Sequence, residues 1–169
     1  MKLEGKIMND TINFTEGTIH DVVIREVKRF TDSRGWLAEM FRRDELPENL
    51  HPMMAYVSET LPGVARGPHE HAEQSDLFAF LGPGDLKLYL WDTRRDSPTY
   101  GVKWSKVVGE TFSCVVTVPP GVVHAYKCVS DNPALVFNAP NRLYAGEGKK
   151  ERVDETRYED VADSPFVFE

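Results

Sequence analysis

A chain of 169 residues, 41% of them hydrophobic, is long enough for one domain with a sizeable core. Its formal charge of −7 excludes nonspecific nucleic-acid binding, which needs a basic surface, but leaves room for a small anion held by a few converging arginines. No apolar run approaches membrane-spanning length, and residues 1–10 lack the basic start and apolar stretch of a secretory leader, so a cytoplasmic protein is expected, with no membrane partner.

In chain order, residues 1–20 read as an N-terminal arm, either loose or swapped with a second copy. Strand-like runs of β-branched and aromatic residues then follow at 22–30, 36–42, 53–61, 76–81, 85–92, 102–109, 112–118, 124–129 and 134–139. The clearest is "DLKLYLWD", which puts Leu86, Leu88 and Leu90 on one face. Turn signals separate the runs: "GPGD", "RRDSPTYG", "VPPG" and "SDNP". Asp92 and Arg94 are expected to fix the second of these as a pair. Helix signals are weak: a turn at 43–50 and a short helix at 153–161, inside an irregular tail from 145 to 169. Cys114 and Cys128 sit in strand-like runs, too few for a disulfide framework, and read as buried free thiols. Short strands at this spacing predict one all-β domain spanning 1–169, a sandwich or barrel.

Chemistry concentrates in "GVARGPHEHAEQSD", residues 63–76. Residues two apart on a strand share a face, so His69 and His71 point one way and Glu70 the other if 67–72 is extended. The "PPG" turn delivers His124 onto another strand, with Tyr126 on its own face. The pattern resembles the cupin superfamily, which implies a jelly-roll barrel. Gly63, His69, His71 and Gly82 match the first cupin motif, with Asp76 in place of its glutamate. Pro119, Gly121 and His124 match the second, with Cys128 in place of its asparagine. A divalent transition metal held by His69, His71, Asp76 (or Gln74) and His124 is one reading of this set. Another is that the histidines move protons with no cofactor.

A narrower resemblance covers about residues 20–155. "TDSRGWLAEMFRRDEL", "GVARGPHEH", "WDTRRDSPTYG", "VPPGVVHAYKCVSD" and "RLYAGEGKKERVDE" look like the dTDP-4-dehydrorhamnose 3,5-epimerase family. It implies a usually metal-free homodimeric cupin acting on dTDP-linked 4-keto-6-deoxyhexoses. By that resemblance His69 is the base, His124 a second pocket histidine, Arg34 and Arg66 the arginines that meet diphosphate and sugar, Glu39 an acidic residue near the nucleotide, and Tyr144 a tyrosine near the substrate; Gln74 joins the substrate-binding set.

The departures are as informative. The family's lysine falls at Asp76, its acidic tyrosine at Phe137, and a glutamine at His71; the aspartate that pairs with the base is not expected in this chain. Epimerisation needs a donor on the face opposite the base, and Phe137 has none. Either the phenol of Tyr126 replaces it, or His69 and His71 shuffle protons on one face as a 3,4-ketoisomerase, which "RGPHEH" also resembles. Three functions stay open: an epimerase or ketoisomerase of nucleotide sugars, a metal-dependent cupin, and a nucleotide-sugar-binding cupin without catalysis.

Overall fold

The computed structural model describes residues 12–169, and strands dominate it. In chain order they are β1 (Thr15–Glu16), β2 (Val23–Glu26), β3 (Arg29–Asp32), β4 (Gly35–Ala38), β5 (Tyr56–Thr60), β6 (Ala65–Glu70), β7 (Asp76–Phe80), β8 (Asp85–Asp92), β9 (Val102–Gly109), β10 (Cys114–Val118), β11 (Val122–Cys128), β12 (Ala134–Asn138) and β13 (Thr156–Arg157). One sheet runs β1-β9-β8-β11-β6-β13 and the other β2-β10-β7-β12-β5, while β3 and β4 form a separate hairpin. This is the expected all-β, cupin-type jelly roll.

Period-two alternation builds the core. Leu86, Leu88 and Leu90 of β8 meet Phe78 and Phe80 of β7, Val116 and Val118 of β10, and Val122 of β11 between the sheets. Full burial of each large apolar side chain contributes roughly 1.5–3 kcal/mol. Strands β7 and β10 are buried at every position because their outer faces are covered too. Val27, Leu77, Ala79 and Val115 pack there beneath Phe41 and Leu46. On the other sheet, Phe166 and Phe168 of the tail lie against Tyr89 and Trp91. Cys114 and Cys128 are buried free thiols, and Asp92 gathers Arg94, Ser97 and Thr99 at 2.6–2.9 Å to fix the "SPTYG" turn.

Three expectations need correction. Residues 153–161 are not a helix: Thr156–Arg157 form β13 on the open edge of β6, with Arg157 opposite His69 and Tyr158 N–H donating to the Pro68 carbonyl. An unsatisfied strand edge offers those amides a ladder partner, and the segment's weak helix propensity does not compete. The tail is therefore only partly irregular. Third, β6 itself, missing from the expected strand series, is a full strand of the larger sheet. Of the expected N-terminal arm, residues 1–11 lie outside the described residues, whereas Thr15–Glu16 pair in parallel with β9 of the same chain.

The pairing of β6 with β11 is irregular where it matters. His69 lies opposite His124, and Arg66 opposite Tyr126, so β6 spends one residue more than β11 between these pairs. A bulge of this kind reverses the in–out parity of the strand. Gly67 makes it possible at φ +83°, a conformation L side chains rarely adopt, and a Cβ there would lie 2.6 Å from the His124 carbonyl oxygen. Gly67→Ala is expected to destabilise the fold by about 2–4 kcal/mol through backbone strain and this clash. A lower midpoint at unchanged slope in urea unfolding checks it; an unchanged midpoint refutes the role given to the bulge.

Candidate active site

Three histidines converge. The ring centroids of His69 and His124 are 4.3 Å apart, and His71 lies 5.6 Å from each. His69 projects inward from β6, and the chain just past that strand carries His71 to the same side. Glu70 faces the outer layer, where the Tyr158 hydroxyl donates to its Oε1 at 2.5 Å. His124 is only 1% exposed and stands behind His69 in the core.

Asp76, also 1% exposed, binds the group together. Its Oδ2 lies 3.1 Å from His71 Nε2 and 3.2 Å from His124 Nε2. The His124 contact is close but off the hydrogen-bonding axis, since that nitrogen has no aligned partner among the described residues. Asp76 Oδ1 accepts from Gln74 Nε2 and Asn138 Nδ2, each at 2.9 Å. A buried carboxylate must be compensated in this way to remain ionised. Burial alone would push the Asp76 carboxyl up, but His124 and His71 outweigh it and hold it well below the usual carboxylate range.

His71 is oriented at both ends. Its Nδ1–H donates to the carbonyl of Asp154, and its Nε2 faces Asp76. The Asp154 carboxylate in turn accepts from the backbone N–H groups of Ala72, Glu73 and Gln74 at 2.8–2.9 Å. Burial works against a charge on His71, yet Asp76 and the Asp154 carbonyl prevail and raise it to about 9. His69 has the opposite fate: burial first, then His124 and His71 beside it, lower it to about 2. The site thus holds an imidazolium and a neutral imidazole side by side.

A cavity of about 1100 Å³ opens against this cluster. His69, His71, Gln74 and Tyr144, all singled out from sequence, line it. The others do not. His124 lies behind the wall. Tyr126 is buried at 5% exposure, edge-on to Phe78 and Phe80, with its hydroxyl 3.4 Å from Ser58 Oγ. It is a barrel-wall aromatic, not a donor at the cavity surface, because inward positions of β11 below His124 point into the packed core. Arg66 is spent on β5, donating to Thr60 Oγ1 and the Glu59 carbonyl. Arg34 sits in the exposed β3–β4 turn, paired with Asp32 at 2.5 Å, and Glu39 follows that hairpin.

Sequence reasoning missed Tyr56, Asn138, Asp154 and the guanidinium groups of Arg142, Arg152 and Arg157. All but Asn138 line the cavity. Asp154 gave no local signal, since it acts on residues some eighty positions away. The "GEGKK" stretch contributes Gly146, Glu147 and Lys149 to the same wall.

The metal reading fits this geometry poorly. Histidine nitrogens of all three residues come within 4.8 Å of one another, but both nitrogens of His71 are engaged, by a carbonyl and a carboxylate. Each nitrogen of His71 thus already has an oxygen partner within hydrogen-bond reach, which a metal would have to displace.

The chain matches the family model described as dTDP-4-dehydrorhamnose 3,5-epimerase over residues 16–158. It is 38% identical to a probable low-salt glycan biosynthesis epimerase, Agl13, of Haloferax volcanii, covering 79% of this chain and 85% of that one. It is 33% identical to the spore coat polysaccharide biosynthesis protein SpsL of Bacillus subtilis, over 70% of this chain and 78% of that protein. Among solved structures, a dTDP sugar isomerase from Desulfovibrio desulfuricans superposes with a TM-score of 0.73 at 25% identity, covering 85% and 87% of the two chains.

The two perturbed imidazoles set opposite pH limbs. The stabilisation from His71 is whole below its ordinary 6.5 and is lost as pH rises toward about 9. The neutral His69 costs nothing above 6.5 but loses stability as pH falls below it, because only the unfolded chain then takes the proton. Thermal melts are expected to peak near pH 6.5, and His69→Gln to flatten the acid limb while leaving the alkaline one. A variant whose acid limb keeps the full slope contradicts the assignment.

Proposed function

The chain belongs to the dTDP-4-dehydrorhamnose 3,5-epimerase family, and from that membership we propose that it moves a proton at the carbon beside the ketone of a dTDP-linked 4-keto-6-deoxyhexose, with His69 as base. It is an isomerase-class enzyme, and enzymes of this family act without a cofactor. The observation that carries the reading is the neutral His69 at the cavity wall beside the charged His71.

A proton next to a ketone becomes removable when its electron pair can move onto the ketone oxygen, so the site needs an unprotonated base in reach. His69 stays unprotonated across the neutral range. The enolate that forms is negative, and the field of the His71 imidazolium favours it although both its N–H groups are occupied. Arg142, Arg152 and Arg157 on the cavity wall suit the diphosphate, the part first assigned to Arg34 and Arg66. Gln74 and Tyr144 stay in the substrate-binding set.

The family's dimer explains Arg34 and Glu39 best. Phe30, Trp36 and Leu37 of the β3–β4 hairpin are all about half exposed or more, a costly display unless a second copy covers it. In that reading the hairpin carries Arg34 and Glu39 to the cavity of a partner subunit. Leu37→Asp is expected to convert a dimer to a monomer in analytical ultracentrifugation; a monomeric wild-type protein removes the proposal.

The activity is tested with dTDP-4-keto-6-deoxyglucose in D₂O, followed by NMR. Deuterium is expected at carbon beside the ketone, with His69→Asn slowing its entry on the order of 10²-fold or more. Tight dTDP binding with no deuterium entry in the wild-type protein instead identifies a binding module.

A further inference from the structure

Inversion at carbon needs two proton carriers on opposite faces of the enolate, and the donor is unassigned once Phe137 and Tyr126 are set aside. Phe137 is turned to the outer layer: β12 points Ala134, Val136 and Asn138 inward and packs Phe137 beside Val27 and Leu77. Two tyrosine hydroxyls remain on the cavity wall, Tyr56 and Tyr144.

Tyr56 is the one wired to the cluster. Its hydroxyl oxygen accepts from Asn138 Nδ2 at 2.9 Å, and the same amide donates to Asp76 Oδ1 at 2.9 Å. Through Asp76 the chain of contacts reaches His71 and His124. The Tyr56 oxygen thus receives a hydrogen bond, while its own hydrogen has no acceptor among the described residues. That is the arrangement of a donor: the amide steadies the oxygen as negative charge grows on it. Tyr144, 55% exposed against 43% for Tyr56, differs in having no side-chain hydrogen bond into this network among the described residues. The walls differ as well. His69 comes from β6 of the six-stranded sheet, whereas Tyr56 opens β5 of the five-stranded one.

We propose that Tyr56 is the catalytic acid, returning a proton to the carbon from the face opposite His69, so that the enzyme inverts its substrate instead of moving the ketone. The proposal rests on the dTDP-sugar reading of the site. In the step, the C–H bond breaks toward His69 and its electron pair moves onto the ketone oxygen. The enolate then collapses, a new C–H bond forms with the Tyr56 proton, and the ketone is restored. The phenolate and imidazolium left behind are reset by one net proton passing through water. Tyr56 is 43% exposed as a residue, but desolvation at the cavity wall pushes its phenol up to about 12, which keeps it protonated and able to donate at neutral pH.

The test compares wild type, Tyr56→Phe and Tyr144→Phe on dTDP-4-keto-6-deoxyglucose in D₂O, reading deuterium entry and configuration separately by NMR and dTDP affinity by calorimetry. Tyr56→Phe is expected to bind dTDP as before, to wash in deuterium with retained configuration, and to invert on the order of 10²-fold more slowly or worse. Inversion by Tyr56→Phe at the wild-type rate, or its loss in Tyr144→Phe alone, overturns the assignment while leaving the enzyme reading intact. A wild-type product with the ketone moved also overturns it. Wild-type protein that exchanges no deuterium overturns both. Should the phenylalanine variant fail to fold, 3,5-difluorotyrosine at position 56 keeps the ring and acidifies the phenol. The ratio of inversion to deuterium wash-in must then change from that of the wild type, and an unchanged ratio counts against Tyr56.

Discussion

A single buried carboxylate organises this molecule's chemistry. Asp76, on a strand with no exposed position, is stable as an anion only because four groups face it: two imidazoles at Oδ2 and two side-chain amides at Oδ1. Stripping one partner from such a group costs far more than the contact is worth in water, since the remaining charge has no solvent to fall back on. The carboxylate therefore dictates its surroundings. It draws the proton to His71, and the resulting cation, together with burial, denies one to His69. One charge placed in the core decides which histidine stays neutral.

The backbone devices around the site serve this placement. The bulge at Gly67 brings His69 into register with His124 and Arg66 into register with Tyr126, two pairings that simple alternation would have split between faces. The tail completes it from outside: β13 zips onto β6, and Asp154 uses its carboxylate to hold three amides of the 72–74 turn and its carbonyl to hold His71. The orientation of the cation thus depends on a segment that carries no chemistry of its own. Its cost in ordering is offset by Phe166 and Phe168, whose burial against Tyr89 and Trp91 anchors the same tail.

What could be read from sequence follows the range of the physics involved. Strands such as 85–92 and 102–109 were legible because alternation is a local property, and the three histidines because their spacing lies within two motifs. Tyr56, Asn138 and Asp154 were not legible, because each acts through hydrogen bonds to partners more than sixty residues away. Tyr126 was misplaced for a subtler reason. It does share a strand face with His124, as expected, but that face descends into the core, and periodicity reports the side of a sheet without the depth along it. Arg34 is a different case: in the single chain it pairs with Asp32 on an exposed turn, and the place proposed for it depends on a second copy.

The departures from the family pattern make sense taken together. By the resemblance, Asp76 stands where a lysine is usual and His71 where a glutamine is. Either change alone is unfavourable: an aspartate there would be a buried anion facing amides, and a histidine there would have no reason to hold a proton. The two residues lie 3.1 Å apart, so each supplies what the other needs, and the local charge balance that a lysine gave is restored from a neighbouring position. The same compensation runs through the hydroxyl. Phe137, where the resemblance puts a tyrosine, packs outward, while the adjacent Asn138 turns inward and offers its amide to the phenol of Tyr56 on the paired strand, with which it is in register. By that resemblance, and on the role proposed for Tyr56, the pattern's cation and hydroxyl are supplied in this chain from His71 and Tyr56.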